Sequence, residues 1–538
     1  MTSPWRRLGA WVGRHIDPDM PRLSVVLWLT SVALCVVALL PALATARAFL
    51  ELASTRLLES YPIQWLEPLF YRFALRSFNG LPIYGPPTTE YVAPIYGPAF
   101  ATFAGGLFRV FGPGFVAMRL MSFAGFTALC VGAGVWVRRA SGSWLWSWVP
   151  GLLLIMLNHP INNWFLVTNV DVIYFAFIVA ALALIDSSKW STSVVSAVAL
   201  CLVLACLFKQ NGLVFGVAVC AYALFRDRRA AWRIVWIGAA VLLPIAIVLH
   251  LRSEGWFWIS TAAIPLESIK DPRADHWKTL MKLSELATWA FALSLTALVV
   301  LDRKRGKWVL WVLLQGAAAW VAYRAFAKSG GGENSLLPVL FLGIVLPFVA
   351  LAKLRSRLSW IWTRQLLDVL TLAGVAFVLM HQPPPPAVAK AQAVSMPSYV
   401  AFDRKIAQVV ASVDGEVFVG ARPSILYAAG RPQNFHQTTL YEGTHRTSRY
   451  DLTQVLEEDL AAHRWEKMVL WDYRERAFNQ LVATYYRRAR SLGRDPLIGL
   501  GVAVWVPRSD PSPEPQPAPS AEPQPAPSTL AVPPVFLR

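Results

Sequence analysis

Long apolar runs constrain this chain more than any other feature of its sequence. A helix needs about 20 apolar residues, within a range of roughly 17–25, to cross a bilayer. Runs of about this length recur along most of the chain, so the sequence predicts an α-helical multi-pass membrane protein with about eleven transmembrane helices. The runs lie near 23–46, 115–137, 144–158, 172–186, 192–208, 212–225, 234–250, 286–301, 308–323, 335–352 and 364–381.

Composition supports this class and argues against others. Charged residues make up 15% of the chain, whereas soluble proteins carry about 25%. The net charge of +18 could indicate a nucleic-acid partner. We predict none, because no basic face with interleaved aromatic residues stands outside the apolar runs. The five cysteines all lie within those runs and read as small core residues, without disulfide or metal-site spacing.

The basic residues cluster between the apolar runs and predict the topology. Cytoplasmic loops collect Lys and Arg, so an even number of crossings should separate each cluster from the next. Counting Tyr96–Phe111 as a crossing would break this pattern, and we predict that it lies as a helix along the outer membrane surface. The N-terminus is then cytoplasmic, 23–46 is a retained first helix, and the C-terminus lies outside. The clusters are Arg6/Arg7/Arg14/Arg22, Arg138/Arg139, Lys189, Arg226/Arg228/Arg229/Arg233, Arg303/Lys304/Arg305/Lys307 and Lys353/Arg355/Arg357/Arg364.

Four regions follow along the chain. Residues 1–22 form a cytoplasmic N-terminus, and 23–386 a transmembrane domain whose first outer loop is 47–114. Residues 387–508 form a small extracytoplasmic α/β domain, and the Pro-rich segment 509–538 is a disordered tail. Within the α/β domain we predict helices at Ser398–Val413, Asp451–His463 and Glu475–Leu492, and strands at Glu416–Gly420, Lys467–Asp472 and Gly501–Pro507.

The first outer loop is a candidate for part of an active site. Loops of this length are usually functional or disordered, and this one is rich in aromatic residues. Glu67, between Leu66 and Pro68, could be a general base for an acceptor hydroxyl or a metal ligand. It could equally be a solvated loop carboxylate, and Glu59 and Glu90 are its rivals.

Asp171 stands at the mouth of an apolar helix. At the bilayer centre such a charge costs roughly 2.5–3.5 kcal/mol, but a helix N-terminus reduces the cost. Asp171 is therefore either a helix cap or a functional acid on the same side of the membrane as the first loop. His159 and Asn163, just upstream, are weaker candidates.

Two further outer turns carry polar residues. Lys209, in Lys209-Gln210-Asn211-Gly212, suits a phosphate ligand, although a lysine that snorkels at a helix end is the alternative. In Ser329-Gly330-Gly331-Gly332-Glu333-Asn334 the glycines allow a close approach of the backbone to a ligand, or they make a flexible connection. Arg324, nearby, could bind an anionic group.

Together these segments resemble the GT-C superfamily of glycosyltransferases over about residues 20–385. The likeness is to the bacterial dolichyl-phosphate-mannose mannosyltransferase-like proteins and the lipid A aminoarabinose transferase type. Its first two patterns are Glu67 followed by 79–98, and Asp171 in the second outer loop. The others are Lys209-Gln210-Asn211-Gly212 and Gly331-Gly332-Glu333-Asn334-Ser335-Leu336-Leu337-Pro338.

The resemblance implies roles for particular residues. Glu67, with Glu90 as the second choice, corresponds to the first-loop acid that activates the acceptor, and Asp171 to the second acid. Lys209 corresponds to the cation that holds the phosphate. The chain lacks the paired acids common in the first loop, and it has Asn169 where an arginine is often found. The remaining predicted substrate-binding residues are Gln210, Tyr91, Tyr96, His159, Arg324, Glu333 and Asn334.

The function implied is an inverting transfer of a hexose from a polyprenyl-phosphate sugar donor. The acceptor is a hydroxyl of a lipid, glycan or protein, and the site is the outer face of a bacterial cytoplasmic membrane. The spacing shows no metal site, and a divalent cation such as Mg²⁺ or Mn²⁺ stays open. Two alternatives remain: a transporter or flippase for a lipid-linked sugar, and a non-catalytic envelope assembly protein.

Overall fold

The computed structural model describes most of the chain between residues 21 and 509. The described residues are 21–64, 66–142, 144, 146–157, 164–187, 190–267, 298, 306–327, 333–359, 361–380, 398, 400–431, 434–436, 452–472, 476–496 and 500–509.

The chain divides into two compact units. The first, here called the membrane unit, comprises Met1–Ser60, Phe73–Tyr84 and Pro94–Gln392. The second, here called the sheet unit, comprises Tyr61–Arg72, Gly85–Ala93 and Ala393–Arg538. The sheet unit therefore includes two stretches of the predicted first outer loop as well as the C-terminal region.

Helices build the membrane unit. Helical turns at Trp164–Leu166, Trp256–Trp258, Ile259–Ala263, Ile264–Glu267 and Glu333–Leu336 connect the longer ones. Those are α1 (Pro21–Leu57), α2 (Glu67–Phe78, shared with the sheet unit), α3 (Ala99–Phe111), α4 (Phe115–Ser141), α5 (Val149–Leu157), α6 (Val170–Ser187), α7 (Thr192–Phe208), α8 (Gly212–Arg226), α9 (Arg228–Arg252), α10 (Trp308–Ala327), α11 (Leu337–Arg357) and α12 (Ile361–Met380).

The helices confirm the predicted fold class, a multi-pass α-helical membrane protein. Helices overlap every predicted span except 286–301, of which the described residues include only Leu298. Large apolar side chains on α1 and α9 are exposed, for example Leu40 and Trp236 at 68% each, as expected for a lipid-facing surface. Within the part of the chain that the structure describes, five helical segments are long and apolar enough to cross a bilayer: Arg22–Leu57, Phe115–Ser141, Arg228–Arg252, Trp308–Phe326 and Asn334–Arg357.

The predicted first outer loop, 47–114, is largely helical. Helix α1 continues to Leu57, past the end of its apolar run, and the exposed pair Arg47–Glu51 links successive turns there at 2.7 Å. Helices α2 and α3 occupy much of the remainder. The region Tyr96–Phe111 is helical from Ala99, as predicted, and its place on the membrane surface stays a prediction.

The sheet unit has a four-stranded mixed sheet with helices on both faces. Strands lie in the order β1-β2-β4-β3; β1 and β2 are parallel, and β4 is antiparallel to β2 and β3. Because side chains alternate along a strand, one face packs on α13 and the other on α15 and α16. The elements are α13 (residues 400–411), β1 (Val417–Val419), α14 (Ser424–Ala428), α15 (Leu452–Ala461), β2 (Lys467–Trp471), α16 (Arg476–Tyr485), β3 (Tyr486–Arg494) and β4 (Gly501–Pro507).

The predicted helix at Glu475–Leu492 was wrong in its second half. Helix α16 ends at Tyr485, and β3 begins at the next residue and pairs with β4. The segment from Arg487 to Leu492 contains good helix formers, but propensity is a weak prior that tertiary pairing overrides. Tyr486 anchors the strand, because its buried hydroxyl donates to the Trp465 carbonyl at 2.9 Å.

The two loop stretches are part of the sheet unit's interior. Val92 lies in the apolar core with Phe418 and Phe435, and the Phe435 N–H donates to the Thr89 carbonyl at 3.2 Å. The buried Arg72 guanidinium donates to backbone carbonyls of Asn434 and Glu90. The C-terminal sheet therefore uses loop residues to complete its fold.

Candidate functional site

A buried carboxylate stands at the start of α6. Helix α6 begins at Val170, and the Asp171 N–H donates to the side-chain oxygen of Asn169 at 2.7 Å. Asn169 itself is held by Ser122, whose hydroxyl accepts from the Asn169 N–H at 2.8 Å. Asn169 thus caps the helix, which leaves the Asp171 carboxylate for other contacts.

Asp171 joins three distant segments of the membrane unit. Its Oδ1 accepts from Lys209 Nζ at 2.6 Å, and its Oδ2 accepts from Asn334 Nδ2 at 2.7 Å. The Asp171 and Lys209 side chains are only 5% and 10% exposed. Removing either charge would leave the other one buried without its counter-ion, which costs about 3–5 kcal/mol of stability. Asp171, Lys209 and Asn334, all predicted from the sequence, therefore form one cluster.

Aromatic rings and an amide complete this cluster. Lys209 Nζ lies 5.5 Å from the ring centre of Tyr96 and 5.9 Å from that of Tyr174, within cation–π range. Gln210 Nε2 donates to the Ile95 carbonyl at 2.8 Å. Among the described residues the buried Gln210 Oε1 has no hydrogen-bond partner.

Two glycines allow this close packing. A Cβ on Gly97 would lie 2.1 Å from the carbonyl oxygen of Leu207, near the end of α7. A Cβ on Gly212 would lie 2.7 Å from the Ala205 carbonyl carbon. Gly212 therefore lets α8 start against the end of α7. Helix packing alone explains why a glycine stands at this position, and no bound ligand is needed to explain it.

We expect Gly97→Ala to lower the thermal stability of the membrane unit. The added methyl group meets backbone atoms that cannot rotate away, and overpacking of this kind costs about 1–3 kcal/mol. Thermal unfolding of the purified full chain in detergent measures the effect. Gly85→Ala is the matched control, because a Cβ there meets nothing within 4 Å; equal melting temperatures for the two variants would contradict the prediction.

Glu67 is buried in the sheet unit. It is the first residue of α2, its exposure is 0%, and its Oε2 accepts from the Ile63 N–H at 2.8 Å. The alternative of a solvated loop carboxylate is therefore wrong. Its assignment as the acceptor base stays a prediction from the resemblance.

Glu90 and Tyr91 also belong to the sheet unit. The half-exposed Glu90 carboxylate pairs with Arg464 at 3.1 Å, and Arg464 in turn pairs with Glu416 and Asp459. Tyr91 is buried, with the Arg72 guanidinium 5.9 Å from its ring centre. These contacts connect the loop to the C-terminal sheet, and the predicted catalytic and substrate-binding roles of the two residues remain predictions.

The remaining predicted residues are only partly described. His159 lies outside the described residues, and Glu333 opens the turn Glu333–Leu336, with its side chain outside what is described. Arg324 lies 5.5 Å from the ring centre of Trp320 in α10. Within the described ranges, no three His, Cys, Asp or Glu side chains come together to hold a metal ion; the question of a divalent cation is left open.

Sequence reasoning missed a second polar cluster, at the far end of α6. Asp186 Oδ1 accepts from Lys307 Nζ at 2.7 Å, and its Oδ2 accepts from Trp136 Nε1 at 3.0 Å. Lys353 lies 3.8 Å away. The signal in the sequence was one acid at the end of an apolar run, with basic residues after two later runs.

These features define a multi-pass α-helical membrane protein with a mixed-sheet unit and a buried Asp–Lys–Asn cluster. Neither a family model nor a curated protein sequence matches the chain. Its fold is similar to the crystal structure of ArnT from Cupriavidus metallidurans bound to undecaprenyl phosphate. That match has a TM-score of 0.53 and 15% identity, and it covers 87% of this chain and 98% of that one.

The apo structure of the same ArnT gives a TM-score of 0.48 and 16% identity, with coverage of 85% and 97%. The expected likeness to the aminoarabinose transferase type is thus confirmed for the fold, which extends through nearly the whole of the compared chain.

Proposed function

We propose that this protein is a membrane glycosyltransferase that takes its sugar from a polyprenyl-phosphate donor. The observation that carries the proposal is the buried Lys209 ammonium, held between Asp171 and the rings of Tyr96 and Tyr174. The fold is that of a protein crystallised with undecaprenyl phosphate, which supports a donor of this class.

The proposed reaction uses the buried Lys209 ammonium and the hydrogen-bonding groups beside it. The acceptor hydroxyl oxygen attacks the anomeric carbon, the bond from that carbon to the phosphate oxygen breaks, and polyprenyl phosphate leaves. The Lys209 ammonium stabilises the charge that develops on the phosphate, while Asp171 and Asn334 fix the position of Lys209 and its neighbours. The hydroxyl proton passes to a carboxylate base, and the configuration at the anomeric carbon inverts.

The remaining parts of the proposal concern setting and partners. The acceptor is a hydroxyl on a lipid, glycan or protein. The protein sits in a bacterial cytoplasmic membrane with its N-terminus inside and its C-terminal region outside, in line with the arrangement of the basic clusters. A divalent cation, if used, would neutralise phosphate charge.

The test is transfer from defined donors. The purified full chain in liposomes is incubated with a panel of undecaprenyl-phosphate sugars and membrane lipid acceptors. We expect one donor to yield free undecaprenyl phosphate and a glycosylated acceptor, and Lys209→Met to lower the rate about 10²–10³-fold, as for loss of one charge-stabilising donor.

Lys307→Met is the matched control, since Lys307 bonds Asp186 at the other end of α6. The folded Lys307→Met variant should transfer the sugar at about the wild-type rate. If a labelled lipid-linked sugar crosses the bilayer without being transferred, the protein is a flippase. If no donor in the panel is consumed, the proposal that the protein is a glycosyltransferase is refuted.

A further inference from the structure

The edge strand β3 carries an unusual charge. Between 476 and 508 the sequence has six arginines, no lysine and a single acidic residue, Asp495. Asp495 is fully buried and bonded to Arg422 and Trp471, so it does not neutralise the strand. Every residue from Arg487 to Ser491 is exposed, as is Arg494.

Two register shifts distribute these arginines over both faces of the sheet edge. The shifts lie between Arg488 and Arg490 and between Ser491 and Gly493. From the pairing with β4, Arg487 and Arg490 share a face with Val506 and Val504, whereas Arg488 lies on the face of Trp505. The cations therefore surround the edge rather than line one side of it.

Among the described residues of the sheet unit, little opposes this charge. Arg488 approaches Asp472 only to 3.8 Å, and both side chains are about half-exposed, so the pair is weak. By contrast, Arg464, elsewhere in the same unit, pairs with three carboxylates. The arginines of β3 are thus available to an external anion.

Charged residues on β3 can protect the exposed edge from pairing with another strand, and they can also bind an anion. Edge strands are usually blocked by lysine, by proline or by bulges, and β3 already has its irregular register. Arginine differs from lysine because its planar guanidinium makes paired hydrogen bonds to phosphate. The exposed arginines of β3 therefore suit phosphate chemically, although arginine outnumbers lysine along the whole chain by 38 to 12.

We propose that β3 is a docking surface for the phosphate headgroups of anionic membrane lipids. The chain is a membrane protein, and clusters of basic residues bind the phosphate headgroups of anionic lipids. Charge complementarity selects this partner, because a strand edge with arginines on both faces meets a surface of phosphate monoanions. This inference does not depend on the proposed transfer reaction.

The experiment uses the full chain, because the sheet unit includes loop stretches from 61–72 and 85–93. The protein in neutral phosphatidylcholine nanodiscs is floated with vesicles of phosphatidylcholine, with or without phosphatidylglycerol. We expect flotation only with the anionic vesicles. Arg487→Gln/Arg490→Gln and Arg488→Gln/Arg494→Gln should each weaken it about tenfold or more, and the corresponding lysine pairs less so.

Arg404→Gln/Lys405→Gln is the matched control, because it removes the same charge from exposed positions of α13. It should float like the wild type. Equal weakening by this control, or no weakening by the β3 pairs in variants whose thermal unfolding is unchanged, would overturn the proposal. Displacement by inorganic phosphate at constant ionic strength would assign the strand to free phosphate and overturn the commitment to lipid.

Discussion

Neutralising one member of the Asp171–Lys209 pair is expected to lower both the stability of the protein and its rate of sugar transfer. Neutralising both members should restore the stability but not the transfer rate. Asp171→Asn leaves a buried ammonium without its counter-ion, and Lys209→Met leaves a buried carboxylate. Breaking a buried pair in this way costs about 3–5 kcal/mol, while replacing the whole pair by neutral groups is often tolerated. The double variant therefore separates folding from function.

Transfer should stay low in that double variant. If Lys209 holds the phosphate, its loss removes a stabilising charge from the transition state. The transfer rate should then fall about 10²–10³-fold even in a variant whose stability is restored. Thermal unfolding in detergent and donor turnover in liposomes, measured on the same preparations, give the two readouts.

The Asp186–Lys307 pair offers the control at the other end of the same helix. Asp186→Asn/Lys307→Met removes a buried ion pair of similar length, 2.7 Å against 2.6 Å, and should leave transfer near the wild-type rate. If the double variant at Asp171 and Lys209 regains activity together with stability, the cluster is structural and the proposed role of Lys209 is wrong.

Arg422→Met is expected to destabilise the sheet unit strongly near neutral pH. Arg422 is 2% exposed and lies between the buried carboxylates of Asp403 and Asp495. Its removal leaves both acids without their cation, at a cost of about 3–5 kcal/mol. That is a large fraction of the roughly 5–15 kcal/mol that stabilises a typical domain.

The dependence on pH identifies the cause. Burial raises the pKa of the Asp403 carboxyl to about 6, against the lowering effect of Arg422 and with a further rise from Asp495. The unfolded value is about 3.9, so this carboxyl favours the folded state below about pH 4 and that contribution is lost as pH rises through 6. The destabilisation by Arg422→Met should therefore be greatest above pH 7 and smaller near pH 5.

Hydrogen exchange in the C-terminal region of the full chain, at pH 5 and pH 8, measures this effect. Arg464→Met is the informative comparison: Arg464 pairs with three carboxylates but is 28% exposed. Exposed pairs contribute about 0–1 kcal/mol each, so the loss should be smaller despite the larger number of partners. An equal loss of stability in Arg422→Met at pH 5 and pH 8 would contradict the explanation from uncompensated carboxylates.

The local character of most segments was readable from the sequence. Asp171 and Lys209 were recognisable because a charge at the end of an apolar run needs compensation. What they contact was not readable: the carboxylate is shared between Lys209 and Asn334, which lies 163 residues further along the chain. Asn169 showed its capping role only once the start of α6 was known.

The wrong prediction for the segment after Tyr485 and the open alternative at Glu67 have one physical cause. The segment after Tyr485 has the composition of a helix and becomes a strand because β4 offers a hydrogen-bonded partner. For Glu67 the sequence left a solvated loop carboxylate and a functional acid open, and the carboxylate is buried because 61–72 joins the sheet unit. In both cases a contact distant in sequence outweighed a local preference.

Hydropathy and charge by themselves determined that this protein is a multi-pass helical membrane protein, because transfer of a helix into lipid depends on the composition of about 20 consecutive residues. Only the tertiary structure decided which polar groups meet. It gathered Tyr96, Asp171, Lys209 and Asn334 into one cluster and divided the first outer loop between two units. Those outcomes depend on packing between helices far apart in the chain, which no local window contains.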